Sequence, residues 1–207
     1  MAIVLRCAAE MPDGATIEVA MIVPRTEAEG PGVRYAVWVQ GCPLRCAGCC
    51  NPEMLEFGGE GTTRRLAADL VEEACASGAE GVSLLGGEPF AQAEALAPLA
   101  EGVRARGMSV MIFTGYTLAE LQTQGPAAAR LLAATDLLVD GRFEAKLRSQ
   151  RRRFIGSDNQ ALHFLSDRYA RDDPKLQGAN TVELRIHGGE ITLNGWPLLG
   201  PRTRVAR

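Results

Sequence analysis

The chain has 207 residues, 46% of them hydrophobic and 23% charged, with a formal net charge of -3. That is enough apolar material for one domain with a sizeable core, and so nearly neutral a balance asks for neither nucleic acid nor an anionic membrane as partner. The apolar run at the start is too short for a secretory h-region and no stretch approaches the ~18 apolar residues of a membrane span, so a cytoplasmic protein with reduced thiols is expected.

In chain order, Ile3–Cys7 and Thr16–Val23 read as two strands joined by the turn "MPDG". "EAEGPG" is a loop, and "VRYAVWVQ" (Val33–Gln40) is apolar and rich in strand formers. Directly after it, "QGCPLRCAGCCNPE" packs Cys42, Cys46, Cys49 and Cys50 together, four of the chain's six cysteines. "GGEG" breaks the chain, and Thr62 or Thr63 is expected to cap a helix to about Ser77 with Leu66, Leu70, Val71 and Ala74 on one face. "GVSLL" (Gly81–Leu85) is a short buried strand ending in "GGEP".

The alternation continues with a helix over Gln92–Arg106, compromised by Pro98, and a strand over Ser109–Thr114. Helical stretches at Leu118–Gln124 and Ala127–Ala134 are separated by "GP", and "LLVD" (Leu137–Asp140) is a strand. Strands alternating with helices predict a parallel sheet covered by helices. The end differs: "TVELRIHGGEITLNG" reads as a β-hairpin turning at Gly188–Gly189. There is no internal repeat and no low-complexity linker, so a single domain over residues 1–207 is expected.

Clustered cysteines in a reducing compartment point to metal or catalysis rather than to a disulfide frame. Three thiolates spaced C-x3-C-x2-C on a loop after a buried strand can converge on one metal centre, and soft thiolates suit zinc or iron–sulfur. A [4Fe–4S] cluster held by three cysteines leaves one iron open for a ligand. A zinc knuckle using all four thiols is the alternative, made awkward by the adjacency of Cys49 and Cys50 and by the lack of a second C-x2-C pair. Inert buried cysteines are the third reading, and Cys7 and Cys75 fit it best.

The C-x3-C-x2-C spacing resembles that of the radical S-adenosylmethionine (SAM) superfamily. "GPGVRYAVWVQGCPLRCAGCCNPE", "GVSLLGGEPF", "VMIFTGYTLAEL", "DLLVDGRF" and "FIGSDNQALHFL" occur in that order. Together they resemble the activating enzymes of anaerobic ribonucleotide reductase, from about Gly30 to Trp196. The resemblance implies an α/β fold, an incomplete parallel (β/α) barrel with the cysteine loop at the strands' carboxyl ends and a terminal β-hairpin. It divides the chain into a family core over 27–196 and an N-terminal β-hairpin extension over 1–26.

The resemblance also implies that Cys42, Cys46 and Cys49 hold a [4Fe–4S] cluster whose open iron chelates SAM. Gly48 precedes the third cysteine, as in relatives, while Cys50 follows it where relatives usually carry an aromatic residue. Cys50 is then a bystander near the SAM pocket. Gly86, Gly87 and Glu88 of "GGEP" are implied to bind the methionine amino group, although two glycines alone are equally an ordinary strand-to-helix turn. Asp140, at a strand's carboxyl end where ligands gather, is either a SAM contact or a turn residue before Gly141. Ser157 and Asn159 of "GSDNQ" either contact SAM or order their loop. Tyr116 either lines the pocket or packs at an edge. The basic run from Arg142 to Arg153 reads as a solvated face, with an acidic partner as the sharper alternative. His163 and His187 read as packing residues.

No side chain is assigned as catalytic, because the cluster and SAM carry the chemistry. An external one-electron donor of flavodoxin or ferredoxin type would reduce the cluster, SAM would be cleaved to a 5′-deoxyadenosyl radical, and the radical would take a hydrogen atom. The expected partner is a glycyl-radical protein such as anaerobic ribonucleotide reductase, with no nucleic acid and no membrane. The alternatives are a radical SAM enzyme acting on another peptide or small molecule, and a non-enzymatic zinc or electron-transfer module.

Overall fold

A computed structural model of the chain describes residues 16–149, 151–187 and 190–196. Among the described residues nine strands and four α-helices fall in this order: β1 (Thr16–Thr26), β2 (Arg34–Val39), β3 (Thr63–Leu66), α1 (Ala67–Ala76), β4 (Gly81–Gly86), α2 (Ala93–Ala105), β5 (Ser109–Phe113), α3 (Leu118–Leu121), α4 (Pro126–Ala133), β6 (Leu137–Asp140), β7 (Ala161–Phe164), β8 (Val182–His187) and β9 (Glu190–Gly195). Seven of the strands form one sheet in the order β3-β1-β2-β4-β5-β6-β7, and β8 and β9 pair separately. The centre of the sheet, β2-β4-β5-β6, is parallel; β1, β3 and β7 join antiparallel at the two sides. The fold is thus mixed α/β with a largely parallel sheet and a C-terminal hairpin.

Period-two alternation divides each central strand between two faces. Tyr35, Val37 and Val39 of β2, Val82 and Leu84 of β4, Val110 and Ile112 of β5 and Leu138 of β6 meet α1, α2 and α4 in the main core. The alternate residues line the opposite face: Ala36, Trp38 and Leu85 in one cluster, Met111, Leu137 and Val139 in another with Phe154, Ile155 and Leu176. Strands covered on both sides are near-continuously apolar, as β2 and β6 are. Arg34 is a charge fully buried at the start of β2. Its Nε donates to Ser83 Oγ (3.1 Å), its Nη1 to Ser109 Oγ (2.5 Å) and its Nη2 to the Val82 carbonyl (2.5 Å), so the guanidinium fork is satisfied by neutral acceptors.

Several sequence expectations shift. The helix expected from Thr62 or Thr63 begins only at Ala67, because Thr63–Leu66 is drawn into the sheet beside β1; Leu66 is its N-cap and makes no side-chain cap. Pro98 sits buried inside α2 without ending it. The β-like segment around His163 is the antiparallel strand β7, whose bounds the reading of the sequence left open. The second N-terminal strand is real but runs Thr16–Thr26 inside the main sheet, between β2 and β3; Ile3–Cys7 and the turn at 188–189 lie outside the described residues.

Candidate cofactor site

The parallel strands β2, β4 and β5 all deliver their carboxyl ends to one edge, and the cysteine loop leaves from the end of β2. The loop is stapled to itself. Gly41 N donates to Met54 O (2.9 Å) and Cys42 N to Leu55 O (3.0 Å), so the single helical turn Pro52–Met54 returns the chain to its start. Gln40 Nε2 donates to the carbonyls of Glu53 (3.2 Å) and Glu56 (2.6 Å), and Arg45 pairs with Glu56 at 2.8 Å. Two left-handed residues, Arg45 (φ 47°) and Gly48 (φ 74°), turn the chain between the three cysteines. Glycine takes this conformation without strain; Arg45 does so at a cost that the closed loop has to sustain.

That strained turn has a result at sulfur. The Leu44 and Arg45 backbone N–H groups point at the Cys42 thiol, which is buried. Burial pushes the Cys42 thiol up, and those N–H groups oppose it. The same holds at Cys46, where burial pushes up and the Phe143 N–H pulls down. At Cys49 a hydrogen bond from the Cys50 thiol dominates and lowers the group to about 6, with the Asn51 N–H adding to it; the Cys50 proton is held correspondingly tighter. Each of Cys42, Cys46 and Cys49 therefore has an N–H donor aimed at its sulfur, an environment suited to a thiolate bound to iron. Among the described residues no three His, Cys, Asp or Glu side chains form a group that could hold a single metal ion. Cys75 lies elsewhere, on α1 against Met108; Cys7 is outside the described residues.

"GGEP" abuts this loop directly. Gly87 N donates to Val39 O (2.8 Å) and Glu88 N to Gly41 O (2.9 Å). A Cβ at Gly87 would lie 2.3 Å from the Gly41 carbonyl oxygen and 2.9 Å from that of Met54. The glycine is therefore required by backbone packed on backbone. The Glu88 side chain is 1% exposed and accepts from Phe90 N (2.9 Å), Thr114 Oγ1 (2.8 Å) and Gly115 N (2.9 Å). Burial pushes its carboxyl up to about 7 against those three donors. Glu88 thus ties the end of β4 to the end of β5, and Leu44 of the cysteine loop packs against Gly115.

The remaining expected contacts are distributed differently. Asp140 is buried, and its Oδ2 accepts from Leu118 N at 2.7 Å, at the start of α3. Alternation along β6 places it with Leu138 on the helix-covered face, with His163 Nε2 2.9 Å away but poorly aligned for a hydrogen bond. Tyr116 packs against the same helix-side core. Ser157 Oγ, fully buried, accepts from Glu144 N (3.1 Å), and Asn159 Nδ2 donates to Arg142 O (2.8 Å). Both hold the segment 141–149, whose Phe143 N–H reaches Cys46. The basic run is largely engaged within the chain: Arg142 with Glu120, Arg151 with Asp158, Arg152 with the Asp158 and Gln160 carbonyls, Arg153 with the Glu27 carbonyl.

Three residues near the site escaped the sequence reading. Arg45 and Phe143 act through backbone N–H groups, which no side-chain motif records. Trp196, just past the hairpin, packs edge-on to Phe143 with ring centroids 5.4 Å apart and lies under the Arg148 guanidinium at 5.0 Å. Its Nε1 is buried without a hydrogen-bond partner.

The domain family described as "4Fe-4S single cluster domain" matches residues 28–163. The anaerobic ribonucleoside-triphosphate reductase-activating protein of Vibrio cholerae is 34% identical over 143 residues, 65% of this chain and 89% of that protein. The protein of the same description from Escherichia coli K12 is 29% identical over 143 residues, covering 66% of this chain and 91% of its own. Among solved structures, the crystal structure of QueE from Escherichia coli superposes at a TM-score of 0.44 and 22% identity, over 50% of this chain and 55% of that one.

Proposed function

The chain belongs to the radical SAM family of anaerobic ribonucleoside-triphosphate reductase-activating proteins, and on that premise we propose that it generates a glycyl radical on a partner reductase, with Cys42, Cys46 and Cys49 as the ligands of its cluster. The family's cofactors are a [4Fe–4S] cluster and SAM, which when bound supply one-electron cleavage of SAM and abstraction of a hydrogen atom from the target. The observation that carries the ligand assignment is the set of backbone N–H donors aimed at the three sulfurs. Such donors favour the thiolate form at each sulfur, and at Cys42 and Cys46 they oppose the burial that pushes the thiol up.

The chain's own residues do the positioning. Gly87 and Glu88 spend their N–H groups on Val39 and Gly41, so a ligand meeting this segment meets carbonyl oxygen, the polarity suited to the SAM ammonium. Glu88, Thr114 and Gly115 fix that segment against the next strand. Asp140, Ser157 and Asn159 serve the site by holding α3 and the 141–149 segment in place. The parallel strands and their flanks fit an incomplete (β/α) barrel, with Trp38, Leu85 and Phe113 on the face turned from the helices. That face is the side on which a target glycine would be received. The electron donor is of flavodoxin or ferredoxin type. Among the described residues no helix is long and apolar enough to cross a membrane.

The test has two stages. Anaerobic reconstitution of the wild type should give roughly four irons and four sulfides per chain; alanine at Cys42, Cys46 or Cys49 should abolish this, while alanine at Cys50 or Cys75 should spare it. The reduced protein with SAM and the anaerobic reductase from the same cell should then show a glycyl-radical doublet in electron paramagnetic resonance, lost when the reductase's glycine is replaced. A full cluster in the Cys46→Ala variant would refute the ligand set, and a doublet absent with every glycyl-radical enzyme of that cell would refute the partner.

A further inference from the structure

Part of the basic run borders a hollow away from the cysteine loop. Leu162 and Phe164 of β7 pair with Val139 and Leu137 of β6, so Phe164 stands at the amino end of β6, whereas the cysteine loop stands at the carboxyl ends of the parallel strands. Beside Phe164 lies a cavity of about 310 Å³. Its apolar lining is Ile155, Leu162, Phe164 and Leu176, all from the cluster on the face turned from the helices. Its charged lining is Arg151, Arg152 and Arg153 from one loop and Arg171 from another. Both loops are fixed. Phe154 is held left-handed (φ 64°), a strained conformation for a bulky residue, and Asn180 secures it by accepting from Phe154 N and donating to Ile155 O (2.9 Å). Gln177 Nε2 donates to Arg171 O (3.1 Å), and the buried Leu176 anchors that turn. The charge is left mostly uncompensated. Arg151 pairs with Asp158 at 2.7 Å. Arg152 and Arg153 donate to carbonyls, which satisfies N–H groups and neutralises nothing, and Arg153 Nε is buried without a hydrogen-bond partner. Arg171 lies over the Phe164 ring at 5.0 Å. Among the described residues no carboxylate forms an ion pair with Arg152, Arg153 or Arg171, and no acidic residue lines the cavity.

We propose that this cavity binds an organic oligophosphate: two or three phosphate groups on an apolar or planar body, as in a nucleoside triphosphate. Three features select that chemistry. Guanidinium forks match phosphate oxygens two at a time, and three of them without a carboxylate partner call for a ligand of several negative charges. The apolar lining gives nothing to bare inorganic phosphate and is matched by the body that carries the phosphates. The volume is at the small end of the about 300–1,000 Å³ of small-molecule sites, and a neighbouring hollow of about 440 Å³, lined also by Tyr169, shares Phe164 and Arg171 with it, so a longer ligand has space beyond Phe164. A merely solvated basic face needs neither the hollow nor the apolar lining. The inference is independent of the cluster, its ligands and the glycyl-radical partner.

Isothermal titration of the reconstituted full chain with ATP, with tripolyphosphate and with adenosine tests it. ATP should bind at one site, tripolyphosphate at least about tenfold more weakly for want of the apolar contact, and adenosine more weakly still; the ATP affinity should fall as salt rises. Arg171→Gln should weaken ATP at least about tenfold by removing one charge-assisted contact, and Arg171→Lys should recover part of the loss. Arg152→Gln, from the other loop, should act in the same direction, so the result does not hang on the fold of one variant. Lys146→Gln, which removes a positive charge outside the cavity lining, should leave binding unchanged. Circular dichroism and the melting midpoint of Arg171→Gln should be those of the wild type. Failure of ATP to bind, tripolyphosphate binding as tightly as ATP, or indifference to both Arg171→Gln and Arg152→Gln overturns the proposal. So does displacement of ATP by SAM, which would put the nucleotide in the cofactor site, and so does a polyglutamate peptide that binds more tightly than ATP, which would give the cavity to an acidic protein segment.

Discussion

Gly87→Ala distinguishes two reasons for a glycine beside the cysteine loop. One is that SAM needs the space in front of the backbone; the other, which the structure favours, is that the space is already filled. The new Cβ would stand 2.3 Å from the Gly41 oxygen, 2.8 Å from the Gly41 carbon and 2.9 Å from the Met54 oxygen. All three are backbone atoms, so no side chain can swing away, and the chain must part by about 1 Å to reach ordinary contact. Overpacking of this kind costs about 2 kcal/mol, which for a chain of this size lowers the melting midpoint by about 4–8 °C. The displaced atoms belong to the residue before Cys42 and to the helical turn that closes the loop through the Gly41–Met54 and Cys42–Leu55 hydrogen bonds. The variant should therefore melt lower without cofactor and take up less iron on reconstitution. Gly58→Ala is the control: its Cβ meets nothing within 4 Å, and only its φ of 62° is unfavourable. The reasoning fails if Gly87→Ala keeps the wild-type melting midpoint and full iron content while losing SAM binding alone.

Two further outcomes follow from buried groups. Burial holds the Glu29 carboxyl near 7 in place of its ordinary 4.5; between those values the native state keeps a proton the unfolded chain has released, so stability falls as pH rises from about 4.5 to about 7 and is flat above. Glu29→Gln should narrow the stability difference between pH 5 and pH 8 by about 2–3 kcal/mol in urea melts at the two pH values, and an unchanged slope would show that the carboxyl ionises freely. Trp196→Ala removes the ring that backs Phe143 and Arg148; the cluster should still form, because no ligand is lost, but its visible absorption should bleach faster in air as the 141–149 segment loosens over Cys46, and wild-type bleaching kinetics would separate Trp196 from the cluster.

The sequence alone determined the cysteine spacing, the family and the rhythm of the central strands. These are local signals: thiols four and three residues apart, apolar runs such as "VRYAVWVQ" and "LLVD", and glycines where a strand ends. What it left undecided depended on partners distant in the chain. Thr63–Leu66 is a strand because β1 offers it an edge, which no capping pattern at Thr62 or Thr63 reveals. Asp140 is a helix-side residue because alternation from Leu137 and Val139, fixed by burial against Ile155 and Leu176, turns it from the inner face. The N–H groups that serve Cys42 and Cys46 come from a left-handed Arg45 and from Phe143 about a hundred residues downstream, and backbone donors leave no mark in a motif. The hairpin shows the division most plainly. Its alternation of apolar and polar residues is legible and predicts two faces, but only the tertiary bonds of Glu183, Arg185, Asn194 and Gly195 to the body decide that the apolar face is the one left outside.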